Sequence, residues 1–331
     1  MRAAWYSNFG PADEVLRVGE MDDPEPGEGE VRVRVFVSGV NPVDVKRRLG
    51  GRGDMPAPQV VPHFDGAGTI DKVGSGVGAG RIGERVWIFE ANWQRVMGTA
   101  AQYVCVPSDR AIPLPDAAGF DDGACLGIPA LTAHACVFAD GPVDGQTVLV
   151  TGGTGGVGAY AVQFAALAGA RVIATVGSEE KKGVAGALGA RHVINYKTED
   201  VAARVADITR GKGVGRIVEV EFGGNLETSL QIVKTNAVIA AYASDAAMEP
   251  SVPFYRLVYA NLTVRHVLVF LVPDRLKQQG VEDISQWLGE RKLQSRIGGR
   301  FGLDDIAAAH EAVAGGTNGK VLVEIPGAKL A

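Results

Sequence analysis

The chain has 331 residues, of which 46% are hydrophobic and 21% charged, a length that predicts about two domains, each able to bury its own core. Such a composition excludes a small disulfide-stapled module and a mostly disordered chain. Net charge is −5, and Lys and Arg are scattered singly or in pairs such as Arg47-Arg48 and Lys181-Lys182, so neither a nucleic-acid stripe nor a polybasic membrane patch is expected.

The opening Met1-Arg2-Ala3-Ala4-Trp5 lacks a basic region followed by an apolar run, and no segment approaches the ~18 apolar residues of a membrane span. A cytoplasmic protein is expected. The three cysteines, Cys105, Cys125 and Cys136, show no CxxC spacing and fit a reducing compartment. The 45 glycines punctuate apolar runs rather than forming a repeat, which implies many tight turns.

From Val31 to Val40 apolar and polar residues alternate with the period of a half-buried strand. Further β-rich runs follow at 68–73 and 85–89, and the first part of the chain reads as an antiparallel, barrel-like β domain. The texture changes near Asp121, where an alanine-rich helical stretch leads to the turn Gly141-Pro142. Strands at 147–150, 171–176, 192–195, 216–221 and 238–242 then alternate with helices at 156–168, 179–188, 200–209 and 226–233, the signature of a parallel sheet covered on both faces. The apolar run 263–272 reads as strand-like and too hydrophobic for an open sheet edge, so pairing with a second copy is expected to cover it. A helix around 304–313 and a strand at 321–325 close the chain, and that strand is expected to rejoin the N-terminal domain. The resulting organisation is α/β: residues 1–122, a cofactor domain over 123–270, and a return to the first domain over 271–331.

Directly after the strand Thr147–Val150 comes Thr151-Gly152-Gly153-Thr154-Gly155-Gly156-Val157-Gly158 and then a helix. A pyrophosphate must approach backbone N–H groups at a helix N-terminus, and side chains there would block it, so a GxxGxxG between strand and helix points to dinucleotide binding. A bare βα turn is the plainer alternative. The second strand ends Thr175-Val176-Gly177-Ser178-Glu179-Glu180-Lys181, with no acidic residue at its tip to bind a ribose 2′-hydroxyl. Ser178 and Lys181 can instead hold a 2′-phosphate, which favours NADPH over NADH, although Ser178 equally suits an N-cap with Glu179 and Glu180 in the first turn.

Over its whole length the chain resembles the zinc-free quinone oxidoreductases of the medium-chain dehydrogenase/reductase superfamily. The segments that carry the resemblance are GVNPVD (39–44), HFDGAGTIDKVGSGV (63–77), GERV (83–86), GIPALTA (127–133), VLVTGGTGGVGAYAVQFA (148–165), GARHVINY (189–196) and NGKVLVEI (318–325). The resemblance implies a GroES-like catalytic domain, a Rossmann doubly wound cofactor domain, NADPH as hydride donor and a homodimer. Zinc-dependent relatives carry metal ligands where this chain has Asn41, Phe64 and, nearby, Ile128, none of them a good zinc donor, and Asp65 alone cannot hold the metal. The cysteine cluster of a structural zinc lobe is also missing, since 87–97 contains no Cys. Neither zinc site is expected.

Carried over residue by residue, the resemblance places Asn41 and Thr132 beside the nicotinamide. Thr154, Gly155, Gly156 and Val157 correspond to the pyrophosphate loop, and Gly177, Ser178, Lys181 and Tyr196 to the group around the adenosine 2′-phosphate. Tyr242, Ser244, Phe270 and Asn318 match more loosely where the family closes over the nicotinamide. Lys46 departs from the pattern, standing where many members place a Tyr that lines the cofactor and substrate cleft; it reads either as a charged donor or as a solvated surface residue.

Without a metal an ordinary ketone lacks an electrophile, so the expected acceptor is already electron-poor: a quinone, or alternatively an activated enal or enone. Asn41 and Lys46 are the expected catalytic donors, and Asp44 is expected to orient its loop. His63, beside the former zinc position, reads as a packed or surface residue, with contact to substrate as the alternative, while His134, His192, His266 and His310 show no recognisable partner. A cofactor-binding protein with little turnover is the alternative from a different functional class.

Overall fold

The computed structural model describes residues 1–50 and 54–327. An antiparallel strand pair, β1 (Arg2–Trp5) and β2 (Arg17–Glu20), flanks the short α1 (Ala12–Val15). The alternating segment forms β3 (Glu30–Val40), with Val31, Val33, Val35 and Val37 buried on one face. There follow α2 (Pro42–Arg48), β4 (Asp65–Val73), β5 (Arg85–Ile88), β6 (Tyr103–Pro107), β7 (Ala111–Pro113) and α3 (Phe120–Cys125).

The alanine-rich α4 (Gly127–Phe138) precedes regular alternation: β8 (Thr147–Val150), α5 (Gly156–Leu167), β9 (Arg171–Val176), α6 (Glu179–Ala187), β10 (His192–Asn195), α7 (Val201–Thr209), β11 (Val214–Glu219), α8 (Phe222–Ile232) and β12 (Val233–Ala241). After α9 (Phe254–Tyr259) and β13 (Thr263–His266) come α10 (Asp274–Gly289), β14 (Ile297–Gly302), α11 (Ile306–Ala314) and β15 (Lys320–Glu324).

Two compact units result, Met1–Ile128 with Val281–Ala331, and Pro129–Gly280. These divisions differ from limits at 122/123 and 270/271, because α4 opens at Gly127 and α10 runs unbroken through the second division. In the discontinuous unit a seven-stranded sheet has the order β14-β15-β3-β4-β5-β7, with β6 also pairing β3. The closing strand β15 lies antiparallel to β3, Val321 opposite Val40. Its core gathers Val33, Val35, Ile70, Val86, Val104, Val321 and Val323, all with at most 1% exposure.

The continuous unit holds a six-stranded parallel sheet, β10-β9-β8-β11-β12-β13. Its central strand β8 is buried throughout, which is why TVLV needs no alternation. The order reverses between β8 and β11, the position where doubly wound sheets open a crevice for ligands. The apolar run 263–272 is not one strand: β13 stops at His266, where its partner β12 stops at Ala241. Val267, Val269 and Phe270 then turn into the unit and are buried, while Leu268 and Leu271 stay exposed.

Candidate functional site

The glycine loop follows β8 and ends at α5. Gly155 is the N-cap, with no acidic residue in the first turn, and among the described residues the N–H groups of Gly156, Val157 and Gly158 find no backbone acceptor. Two glycines are fixed by packing: a Cβ on Gly158 would lie 2.2 Å from the Gly152 carbonyl oxygen, and one on Gly153 would lie 2.7 Å from Ala174 Cβ. Around Gly155 and Gly156, by contrast, a Cβ would meet nothing closer than 3.3 Å and 3.9 Å. Free donors, a helix dipole and open space on one side form a cradle that fits a pyrophosphate. Thr154 is buried beside it.

A pocket of about 350 Å³ opens at the crossover point, lined by Thr151, Gly152, Thr175, Tyr196, Glu219 and Asn225 among others. Glu219 is completely buried and accepts from Thr151 Oγ1 and Asn225 Nδ2, both at 2.8 Å. Burial raises its carboxyl above the ordinary range, and those hydrogen bonds oppose the rise. Gly177 brings the backbone against Tyr196, whose hydroxyl would be 3.0 Å from an added Cβ. Ser178 is the N-cap of α6, but its side chain makes no capping bond. Lys182 is committed to Glu179 and Glu199, whereas its neighbour Lys181 makes no salt bridge among the described residues. The Tyr196 ring is 53% exposed. Gly177, Ser178, Lys181 and Tyr196 thus cluster at the tips of β9 and β10, with a cation and two hydroxyls available.

The other expected cofactor residues differ in their surroundings. Thr132 is buried in α4. Tyr242 and Ser244 line a mainly apolar pocket of about 800 Å³ with Met248, Val252, His266 and Leu268. Burial pushes the Tyr242 phenol up, and Ser244 Oγ is spent within its own loop, accepting from Gly223 N–H at 2.9 Å and donating to the Ala247 carbonyl at 2.5 Å. Phe270 is buried and does not line that pocket. In the other unit Asn318 is exposed in the turn before β15.

Asn41 ends the β3 segment and is the N-cap of α2, with Pro42 at the first helical position. Its N–H donates to Asp44 Oδ2 at 2.7 Å, which leaves its side chain for other partners. Asn41 Nδ2 donates to Asp65 Oδ2 at 2.8 Å, and Asn41 Oδ1 accepts from Lys320 Nζ at 2.6 Å. Lys320 Nζ also donates to Asp65 Oδ2 at 2.6 Å, closing a triangle, and Asp65 Oδ1 accepts the Ile128 N–H at 3.0 Å. The Lys320 and Asp65 side chains are 5% and 0% exposed. Gly39 makes room for the lysine, since a Cβ there would be 2.6 Å from Lys320 Cε.

Burial pushes the Asp44 carboxyl up to about 7, reinforced by the Asp65 carboxylate and opposed by the Asn41 N–H and the Lys320 ammonium. Lys46, in the last turn of α2, is half-buried and lies outside the Asn41–Asp65–Lys320 triangle. Phe64 is buried hydrocarbon with the Arg47 guanidinium 5.6 Å from its ring centroid. Among the described residues no group of three or more His, Cys, Asp and Glu is placed to hold a metal ion. Lys320 was not singled out by sequence reasoning; its signal is a charge in period-two register with the buried core residue Leu322.

A second polar network runs behind this cluster. His63, in left-handed backbone conformation with φ 77°, accepts or donates at both ring nitrogens: Nδ1 lies 2.8 Å from Ser38 Oγ and Nε2 lies 3.0 Å from His310 Nε2. His310 therefore has a partner, contrary to expectation. Ser38 Oγ is 2.7 Å from Thr99 Oγ1, which donates to the Asp65 carbonyl oxygen at 2.6 Å. All three cysteines are buried, and burial pushes the Cys105 and Cys125 thiols up to about 12.

A GroES-like unit with a Rossmann unit inserted into it defines the class. Residues 27–116 match the alcohol dehydrogenase GroES-like domain family, and residues 156–286 match the zinc-binding dehydrogenase family. The chain belongs to the quinone oxidoreductase family of medium-chain dehydrogenases/reductases. It is 30% identical over 335 residues to the quinone oxidoreductase of Mus musculus, covering 98% of this chain and 97% of the relative. It is also 30% identical to a 2-haloacrylate reductase of a Burkholderia species, covering 95% and 96%. Among solved structures, an NAD-dependent alcohol dehydrogenase superposes with TM-score 0.88 at 30% identity, covering 98% and 99%. The Escherichia coli quinone oxidoreductase complexed with NADPH superposes with TM-score 0.85 at 25% identity, covering 98% and 100%.

Proposed function

We propose that the protein reduces quinones with NADPH in a metal-independent reaction. The observation that carries this reading is the Lys320–Asn41–Asp65 triangle: where a metal-dependent relative needs thiolate or imidazole donors, this chain has an amide and hydrocarbon, and an ammonium takes up the one anionic oxygen. Such a site offers hydrogen bonds rather than a Lewis acid, and that suits an acceptor already poor in electrons.

When bound, NADPH supplies a hydride from nicotinamide C4. The glycine cradle of Thr154, Gly155, Gly156 and Val157 holds its pyrophosphate, and Ser178, Lys181 and Tyr196 hold its 2′-phosphate, with Gly177 giving the close approach. Thr132, Tyr242, Ser244, Phe270 and Asn318 are assigned to the nicotinamide end. Asn41 donates a hydrogen bond to the acceptor oxygen as charge develops there, and Lys46 is the second donor. One hydride and one proton from solvent convert the quinone to the hydroquinone.

The 2-haloacrylate reductase relative favours a second reading, reduction of an activated carbon–carbon double bond by the same hydride. Loss of NADPH absorbance at 340 nm, followed with metal-free protein against ortho-quinones, para-quinones and enals and with NADH alongside, separates the readings. Turnover of quinones with NADPH supports the first, and turnover of enals alone supports the second. Tight NADPH binding with no turnover across the panel points to a cofactor-binding protein.

The same chain is also proposed to form a homodimer through the free edge of β13, beside the exposed Leu268 and Leu271. A monomer in sedimentation at micromolar concentration would sink that idea.

A further inference from the structure

The turn that leaves β11 and the loop that leaves β12 run side by side beyond the parallel sheet, and hydrogen bonds tie one to the other. The Tyr242 N–H donates to the Glu219 carbonyl at 3.1 Å and the Phe222 N–H to the Ala243 carbonyl at 3.0 Å, while the Gly223 N–H donates to Ser244 Oγ at 2.9 Å. Gly223 permits this approach, since a Cβ there would be 2.4 Å from the Ala247 carbonyl oxygen. Glu221 completes the tie with both carboxylate oxygens. As N-cap of α8 its Oε1 accepts the Gly224 N–H at 3.2 Å, and its Oε2 accepts the Asp245 and Ala246 N–H groups at 2.8 Å and 2.9 Å. Burial opposes ionisation of this carboxyl, but the N–H groups of Ala246, Gly224, Asp245 and Ala247 outweigh it and hold the group below its ordinary value. Glutamate is not among the residues that cap helices best. An aspartate would reach Gly224, and the extra methylene of Glu221 carries the second oxygen to the loop.

Ala243, Ser244 and Met248 of the clasped loop line the apolar pocket of about 800 Å³, together with Tyr242, Val267 and Leu268. We propose that Glu221 is a positioning residue for the nicotinamide: its carboxylate caps α8 with one oxygen and with the other latches the 243–248 loop into the shape of that pocket wall. This rests on the reading of Tyr242 and Ser244 as the nicotinamide end. Successive N–H groups that converge on one oxygen form an anion nest, filled here by the chain's own carboxylate, and charge-assisted bonds of this kind are stronger than neutral ones. Without Oε2 the Asp245 and Ala246 N–H groups lose their acceptor and turn to water, and the loop samples other conformations. Binding the nicotinamide must then order the loop, a cost that the latched loop does not carry.

The test uses Glu221→Asp, which keeps the charge and the cap but is one methylene too short for the loop, and Gly223→Ala, which leaves Glu221 intact and pushes the loop away at Ala247. Each variant is titrated calorimetrically with NADPH and with adenosine 2′,5′-bisphosphate, which lacks the nicotinamide. The expected result is NADPH affinity weakened about fivefold or more in both variants, with adenosine 2′,5′-bisphosphate binding within about twofold of wild type. Independently of any ligand, hydrogen exchange at the Asp245 and Ala246 amides is expected to be slow in wild type and about tenfold faster in Glu221→Asp, at similar Tm. A folded Glu221→Asp variant with wild-type NADPH affinity, equal weakening of NADPH and adenosine 2′,5′-bisphosphate, or unaltered exchange at those two amides overturns the proposal. Gly223→Ala decides by the same readings if Glu221→Asp does not fold. Absence in the wild-type complex of NOEs between the nicotinamide protons and residues 242–244, by contrast, overturns the reading of Tyr242 and Ser244 on which it rests.

Discussion

His63 Nε2 lies 3.0 Å from His310 Nε2 in the buried interior of the GroES-like unit, and the ends of the chain of bonds on either side decide which ring carries the shared proton. At one end the Arg48 guanidinium, which cannot accept, has its Nε 3.4 Å from His310 Nδ1. At the other, Thr99 spends its one proton on the Asp65 carbonyl, so it accepts from Ser38, and Ser38 accepts from His63 Nδ1. His310 is therefore the Nε2–H tautomer and donates to His63, which is the Nδ1–H tautomer. Long-range ¹H–¹⁵N correlation spectra at pH 7 should show these two different tautomers, and the same tautomer in both rings would refute the direction of the chain.

The pair also fixes a pH dependence. Burial and the Arg48 charge push His310 down to about 3, while the ring in an unfolded chain titrates near its ordinary 6.5. Between those values the unfolded state binds the extra proton, so stability is full above pH 6.5 and is lost as pH falls toward 3. By pH 5 the loss amounts to about 2 kcal/mol. His310→Gln retains a donor for His63 and an acceptor for Arg48 without titrating. Its urea midpoint should fall less steeply than that of wild type between pH 6.5 and 5.

Asp44 acts with the opposite sign. Its carboxyl is pushed up to about 7 in the fold and titrates near 3.8 when unfolded, so the folded state holds the extra proton and stability declines as pH rises from 4 to 7. The effect is about 4 kcal/mol at most. Asp44→Asn keeps an oxygen for the Asn41 N–H and removes the titration. Relative to wild type it should gain in Tm at pH 8 compared with pH 5; an unchanged difference between the two pH values would show that Asp44 does not titrate there.

Cofactor choice is testable at the tips of β9 and β10. Losing one charge-assisted bond to a 2′-phosphate costs about 1.5 kcal/mol, or roughly tenfold in affinity. Lys181→Ala should therefore weaken NADPH about tenfold and leave NADH unchanged, as read by titration of nicotinamide fluorescence. Equal weakening of both cofactors would mean that Lys181 supports the loop rather than the phosphate.

The cradle itself admits a sharper substitution. Ala at Gly158 would bring its Cβ to 2.2 Å from the Gly152 carbonyl oxygen, so the loop must open. Gly158→Ala should lower affinity for NADPH and NADH alike, with a Tm loss of several degrees. Selective loss of one cofactor would contradict the assignment of this loop to the shared pyrophosphate.

What the sequence determined by itself is local. Period-two alternation over 31–40 gave a strand with one buried face, because pleating sends neighbouring side chains to opposite sides. The apolar strand TVLV followed by glycines and a helix placed the cradle, because strand, turn and helix N-terminus are contiguous in the chain. The proposal of Thr154 to Val157 and of Gly177, Ser178 and Lys181 as cofactor contacts rests on that same local contiguity.

Only the tertiary structure decided which polar groups meet. His63 and His310 are 247 residues apart, and Lys320 reaches Asn41 because β15 returns to lie against β3. No periodicity records such a pairing: it depends on where the chain reverses and which strand edges are left to bond. The same reason shortened the apolar run 263–272, since β13 could extend only as far as β12 offered a partner, and Val267, Val269 and Phe270 found burial within their own unit instead. Hydrophobic pattern is written residue by residue, whereas the partner of a buried charge is set by the fold that buries it.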